Sequence, residues 1–105
     1  MEEKTQVKVL FVKCEGEIIA VMPYELGTND PLTMLCYQHV GQHGSCHASW
    51  VQTQKKAQPE EYGQLLYELE SLGYEVEITR IFNNLGSYSK RRERLAKPLP
   101  EFGAQ

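Results

Sequence analysis

The sequence has few of the features that mark secreted or membrane-spanning proteins. Its 105 residues contain three cysteines, an odd and small number, whereas secreted domains of this size carry an even and dense set. No apolar stretch approaches the roughly 20 residues that span a bilayer. The first residues, Met-Glu-Glu-Lys-Thr-Gln, lack the basic start and apolar run of a secretory signal. These absences predict a cytoplasmic protein that does not enter a membrane.

Signatures of catalysis are equally scarce. Asp30 is the only aspartate, and the chain contains neither a Gly-x-Ser-x-Gly nucleophile elbow nor a Gly-rich phosphate-binding loop. A histidine beside a cysteine can activate the thiol as a nucleophile, but no carboxylate lies nearby in the sequence to orient the imidazole. The sequence therefore favours a non-enzymatic protein without a cofactor.

Charge is distributed unevenly along a chain of ordinary globular composition, with 41% apolar and 24% charged residues. Residues 1–82 hold six Lys or Arg against twelve Asp or Glu, a net charge of −6, whereas residues 83–105 hold five against two, a net charge of +3. We therefore predict a single domain over residues 1–82. A basic, flexible C-terminal tail over residues 83–105 follows it, because its apolar content is too low for a core element.

Two apolar runs near the start of the chain predict a β-hairpin. Residues 7–13 and 17–22 are rich in β-branched side chains and are separated by a Glu-Gly turn, which places Phe11 opposite Ala20. Both faces of these strands are apolar. Strands of that kind lie in the middle of a sheet or between two layers.

The rest of the domain predicts a second hairpin, a helix and a last strand. Residues 32–40 and 45–54 form the hairpin, the latter with Trp, Val and Thr as strand formers. Pro59 opens a helix in which leucines and a tyrosine recur at helical spacing over residues 62–72. Residues 74–82 then alternate glutamate with apolar side chains, which is typical of a strand with one wet face.

These elements predict an α+β fold with a mostly antiparallel sheet in ββββαβ order and one amphipathic helix packed on one face. The residues expected in its core are Phe11, Ile18, Leu35, Trp50, Val76 and Ile78.

Two segments carry a resemblance to other proteins. Tyr-Gln-His-Val-Gly-Gln-His-Gly over residues 37–44, and Pro-Glu-Glu-Tyr through Leu-Gly-Tyr over residues 59–74, resemble a group of small uncharacterised proteins from bacteria and their phages or mobile elements. An apolar strand that ends in Met-Pro at residues 22–23 matches as well. The resemblance covers roughly residues 7–82 and implies no activity, cofactor or partner.

Potential metal ligands crowd into the second hairpin: Cys36, His39, His43, Cys46 and His47. A turn centred on residues 42 and 43 places His39 opposite Cys46 on one face and leaves Cys36 and His47 on the other, with Cys36 out of reach. His43 at the tip joins His39 and Cys46 as a third ligand. A zinc site at these three residues is thus an alternative function, although zinc prefers four ligands.

The leading hypothesis is a small accessory or interaction protein, whose partner is an unidentified protein or a second copy of the chain. A third function, nucleic-acid binding, rests on the basic tail and the Gly-x-x-Gly turn. The residues predicted to form the interaction surface are Tyr37, His39, Gln42, His43, Lys90, Arg91, Arg92 and Arg94.

Overall fold

The computed structural model describes residues 5–39 and 42–96, apart from the side chains of His39, Gln42 and Ala96. This part of the chain has an α+β fold, as predicted. In chain order its elements are β1 (Thr5–Cys14), β2 (Glu17–Leu26), β3 (Thr33–His39), β4 (Gln42–His47), α1 (Ala48–Thr53), β5 (Lys55–Lys56), α2 (Pro59–Ser71), β6 (Tyr74–Ile78) and α3 (Asn84–Ala96).

The β1–β2 hairpin has the predicted register. Its two turn residues, Glu15 and Gly16, have φ angles of 51° and 83°. Two consecutive positive φ angles are typical of the type I′ turn, whose twist matches that of the strands it joins. Phe11 accordingly pairs with Ala20, and the turn fixes which side chains of both strands share a face.

The sheet has the order β4-β3-β2-β1, and two short strands share the outer edge of β1. Strand β6 pairs parallel with the first half of β1, with Val9 opposite Ile78. Strand β5 pairs antiparallel with the second half, with Val12 opposite Lys56. The other strand pairs described are antiparallel, so the sheet is mostly antiparallel.

Helix α2 covers one face of the sheet. Its first turn is stabilised where the Glu61 carboxylate accepts a hydrogen bond of 2.8 Å from the backbone N–H of Gln58. Gly73, with a φ of 105°, ends the helix in a conformation that other residues avoid. The face that α2 buries centres on Leu69, which is fully buried. The cluster around it comprises Val7, Val9, Phe11, Ala20, Met22, Tyr37, Ala57, Tyr62, Leu65 and Leu69.

The opposite face is covered as well, which accounts for the apolar character of both sides of β1 and β2. Helix α1 packs there, and the cluster comprises Leu10, Val12, Val21, Met34, Ala48 and Val51. The predicted strand over residues 45–54 is wrong from Ala48 onward. His47 caps the helix, because its Nδ1 accepts a hydrogen bond of 3.2 Å from the backbone N–H of Ser49.

The predicted core residues are placed unequally. Phe11 is buried, whereas Ile18, Leu35 and Val76 are half-buried against the α2-side cluster. Trp50 is half-buried on the other side. Ile78 is exposed, so its assignment to the core is wrong.

Helix α3 is the main difference from the sequence expectation, which ends the domain at residue 82. It packs on β2, and its Ser87 and Arg91 side chains are completely buried. The buried side chains are polar, so the apolar pattern that usually reveals a core helix is missing. The part of the predicted tail beyond residue 96 lies outside the described residues. Within residues 5–39 and 42–96, none of the helices has the length and apolar character needed to cross a bilayer.

Candidate functional site

The β3–β4 hairpin has a different register from the one the sequence predicts. Tyr37 pairs with His43 and Met34 pairs with Cys46, whereas His39 pairs with Gln42 after an irregularity in the ladder. The predicted pairing of His39 with Cys46 is therefore wrong. The chain reverses between residues 39 and 42 rather than at residues 42 and 43, so Cys46 lies opposite Met34 and not opposite His39, five residues away. Side chains alternate along a strand, so a shift by an odd number of residues changes which side chains of the two strands share a face.

His43 lies on the α2 side of the sheet, within a row of aromatic rings. Its ring centroid is 4.9 Å from that of Tyr37 and 6.0 Å from that of Tyr74. Its Nε2 lies 2.9 Å from the Tyr74 hydroxyl, within hydrogen-bond distance. The Tyr37 hydroxyl in turn donates to the Glu68 carboxylate on α2. This row ties the exposed hairpin to β6 and α2.

The Tyr37 side chain therefore packs beneath the hairpin and is not accessible to a partner. It is fully buried, although the sequence analysis places it on the interaction surface. His43 is exposed and remains available there. The side chains of His39 and Gln42, also predicted on that surface, lie outside the described part of the structure.

Cys36 and Cys46 lie together on the opposite face, which is the side of α1. Cys36 pairs with Gly44 across the ladder, and Cys46 follows two residues later, so the two side chains are diagonal neighbours. Both are half-buried free thiols that pack against the α1-side cluster. The prediction that Cys36 lies out of reach of Cys46 is wrong for the same reason as the register.

The two thiols perturb each other. The pKa of Cys36 is lowered to about 7, mainly by a hydrogen bond from Cys46. Burial of Cys36 acts against this shift, and a hydrogen bond with the backbone of Gly44 adds to it. The same hydrogen bond, together with burial and the charge on Cys36, raises the pKa of Cys46. The Cys46 Sγ lies 3.8 Å from the Met34 carbonyl oxygen, which is the alternative acceptor for its one proton when that proton does not point to Cys36. Above about pH 7 the pair thus holds mainly one proton, on Cys46.

The predicted metal site is not assembled from the residues that the structure describes. The sheet separates His43, on the α2 side, from Cys46, on the α1 side. Among residues 5–39 and 42–96, with the side chains noted above excepted, no three His, Cys, Asp or Glu side chains are grouped to hold a metal ion.

Arg91 is a buried arginine that fixes α3 to strand β2 and to the loop between β2 and β3. Its side chain is 0% exposed. Nε donates to the Pro31 carbonyl at 2.7 Å, and Nη1 donates to the Pro23 carbonyl at 2.7 Å and to the Ser87 hydroxyl at 3.0 Å. Burial lowers the pKa of the guanidinium. Among the described residues, Nη2 has no hydrogen-bond partner.

The other basic residues of α3 form a mixed surface. Arg94 Nη2 lies 3.2 Å from Glu25 Oε2, and Lys90 Nζ lies 3.9 Å from Glu93 Oε1. Arg92 is exposed. Glutamates thus neutralise part of the predicted basic surface, which also lies across the sheet from His43. The structure does not unite the two halves of the predicted interaction surface.

A crevice with an apolar floor and a partly polar rim, which nothing in the sequence predicts, lies beside α1. Its floor is formed by three core side chains, Leu10, Val12 and Val51, and its volume is about 240 Å³. Ile81 stands at its rim and is 75% exposed, and Leu85, four residues later, is 82% exposed. Ile81 falls in the predicted last strand and Leu85 in the predicted tail, so the sequence does not mark either of them as part of a surface site. An exposed apolar side chain at the rim of a crevice is removed from water when a partner covers it.

No family model, no curated protein and no solved structure matches this chain. The function is therefore inferred from the geometry of the crevice, the hairpin and α3.

Proposed function

We propose that the chain is a small, non-enzymatic, cytoplasmic accessory protein that binds a protein partner through the crevice beside α1. The exposure of Ile81 at the rim of this crevice, with the exposed Leu85 four residues further along the chain, is the observation that carries the proposal. Covering two large apolar side chains removes them from water and stabilises a complex by the hydrophobic effect. The three core residues on the floor of the crevice give it a rigid base.

The size of the crevice suits one apolar side chain of the partner. An apolar cavity of roughly 150 Å³ holds a benzene molecule, so 240 Å³ accommodates a leucine or a phenylalanine side chain. A buried anchor of this kind, surrounded by weaker contacts, is typical of protein interfaces.

The rim of the crevice determines the charge of the partner. Lys56 lines the crevice, and Lys55 and Arg80 are exposed beside two of its lining residues. The described residues that line it include no acidic side chain. Electrostatic complementarity therefore favours a segment with an apolar side chain between acidic residues.

The proposal is tested with two blocked peptides that both carry a Leu-Leu core, one flanked by Asp and Glu and the other by Lys. We expect the acidic peptide to shift the NMR signals of Val12, Val51 and Ile81 at moderate salt. Ile81→Asp should weaken this binding at least tenfold. Tyr67→Ser is the matched control, since it removes an equally exposed side chain from the far side of the sheet.

Equal binding of both peptides, or signal shifts that survive Ile81→Asp, would contradict the proposal. So would concentration-dependent sedimentation that Ile81→Asp abolishes, because the crevice would then be occupied by a second copy. Retention on DNA or RNA that falls steeply with salt would instead support nucleic-acid binding. Stoichiometric zinc in the purified protein would support the metal-binding alternative.

A further inference from the structure

We propose that Cys36 and Cys46 form a peroxide-reactive dithiol, in which Cys36 attacks a hydroperoxide and Cys46 then closes a disulfide with it. This modification site is independent of the proposed partner binding. It depends on the observed register of the β3–β4 hairpin, which brings the two thiols to one face of the sheet.

The position opposite Cys36 leaves its sulfur open. Gly44 stands there, and a Cβ added to it would meet the Cys36 Sγ at 3.9 Å. A residue with a side chain would thus contact the thiol and cover it. Cys36 is only partly buried, which leaves a path for a small peroxide to its sulfur. Access and thiolate character are the two properties that govern oxidation of a cysteine.

The hydrogen-bond geometry assigns different roles to the two cysteines. The Cys46 Sγ lies 3.8 Å from the Met34 carbonyl oxygen, and a negative charge on this sulfur would be disfavoured beside that oxygen, so Cys46 is the partner that keeps the proton. Cys36 carries the negative charge, and its pKa of about 7 leaves a large share of it as thiolate at neutral pH. Attack therefore starts from Cys36, and Cys46 is the resolving thiol.

The edge position of β4 lets the disulfide close. Diagonal neighbours in a sheet have Cα atoms about 7–8 Å apart, and a disulfide requires about 4.4–6.8 Å. The strands must therefore approach by about an ångström. On the described sheet path β4 pairs with β3 alone, and Gly44 adds no side chain to resist the movement. A strained disulfide is also reduced more easily, so the modification is reversible.

The chemistry balances with a hydroperoxide as the oxidant. The Cys36 thiolate attacks the terminal oxygen, the O–O bond breaks, and the alkoxide leaves and takes a proton from water, so that Cys36 becomes a sulfenic acid. The Cys46 sulfur then attacks the Cys36 sulfur. The S–S bond forms, the S–O bond breaks, and the departing hydroxide takes the Cys46 proton as water. Two thiols and one hydroperoxide thus yield one disulfide, one alcohol and one water.

The test oxidises the full chain with stoichiometric hydrogen peroxide and counts free thiols by alkylation and mass spectrometry. We expect two of three thiols to be lost, and a Cys36–Cys46 disulfide in the peptide map. Cys14→Ser, the matched control, should oxidise at an unchanged rate. Cys46→Ser should instead accumulate a sulfenic acid at Cys36 that dimedone traps, and Cys36→Ser should lose at least tenfold in rate.

The pH profile separates an activated thiolate from an ordinary exposed thiol. The rate for the unmodified chain should rise with a midpoint near pH 7, because the thiolate is the reacting form. A midpoint above pH 8, preferential oxidation of Cys14, or disulfides only between copies would overturn the proposal. The peptide map and pH profile use the unmodified chain, so they remain decisive if a variant fails to fold.

Discussion

Removal of the Arg91 side chain should destabilise the protein far more than removal of its neighbour, Arg92. Arg91→Ala deletes three hydrogen bonds and leaves the Pro23 and Pro31 carbonyls without their donor. A buried acceptor left unsatisfied costs about 1–3 kcal/mol. Among the described residues, no carboxylate pairs with the guanidinium, so burial of this charge costs free energy in the native protein. Arg91→Ala removes that cost, which offsets part of the loss of stability. We expect a net loss of about 2–4 kcal/mol in the free energy of unfolding.

The assay is equilibrium unfolding in urea, followed by the fluorescence of Trp50, which packs against the α1-side cluster. Arg92→Ala is the matched control, because it removes the same charge from an exposed position of the same helix. Its effect should stay within about 0.5 kcal/mol. Arg91→Lys should fall between the two, since one ammonium group cannot reproduce the fork of the guanidinium. Equal urea midpoints for Arg91→Ala and Arg92→Ala would refute the docking of α3.

Three further outcomes follow from α2. Leu69→Ala should cost about 2–5 kcal/mol in urea unfolding, because Leu69 is fully buried, whereas Tyr67→Ala should cost under about 0.5 kcal/mol; similar losses would contradict the packing. Gly63→Ala should stabilise the protein by about 0.5–1 kcal/mol, since an added Cβ meets no atom within 4 Å in this helix, and a lower thermal midpoint would count against it. The hydrogen bond and ion pair with Lys13 lower the pKa of Glu61. The ionised Glu61 carboxylate therefore stabilises the folded protein at neutral pH, and this stabilisation is lost as the pH falls through the lowered pKa. Lys13→Ala should raise the Glu61 pKa in an NMR titration, and an unchanged value would disprove the pairing.

The first hairpin could be predicted residue by residue, and the second could not, for a physical reason. A Glu-Gly dipeptide between two apolar strands fits one turn type, and that turn fixes the register. Glycine and polar residues occupy several positions of the second hairpin, so the sequence allows more than one place for the chain to reverse. The position of the turn decides whether Cys46 pairs with His39 or with Met34, and hence which side chains lie next to each other on one face of the sheet.

Helices α1 and α3 show two other limits of the sequence pattern. Trp50, Val51 and Thr53 favour a strand by intrinsic preference, but the His47 cap and the burial of Val51 hold them in α1. Helix α3 buries Ser87 and Arg91, and arginine is a surface residue in most proteins. The thiol pair depends on the hairpin register, and the crevice depends on where α1 lies. Both could therefore be identified only from the structure.

The pairing of β1 with β6 has a consequence for synthesis of the protein. Val9 reaches its partner Ile78 only after most of the chain has been made, whereas its neighbour β2 follows at once. At about 5–20 residues per second, the edge of the first half of β1 stays open for several seconds. An unpaired apolar strand edge invites association with other chains. The free edge of β1 can thus associate with other chains until β6 has been made and pairs with it.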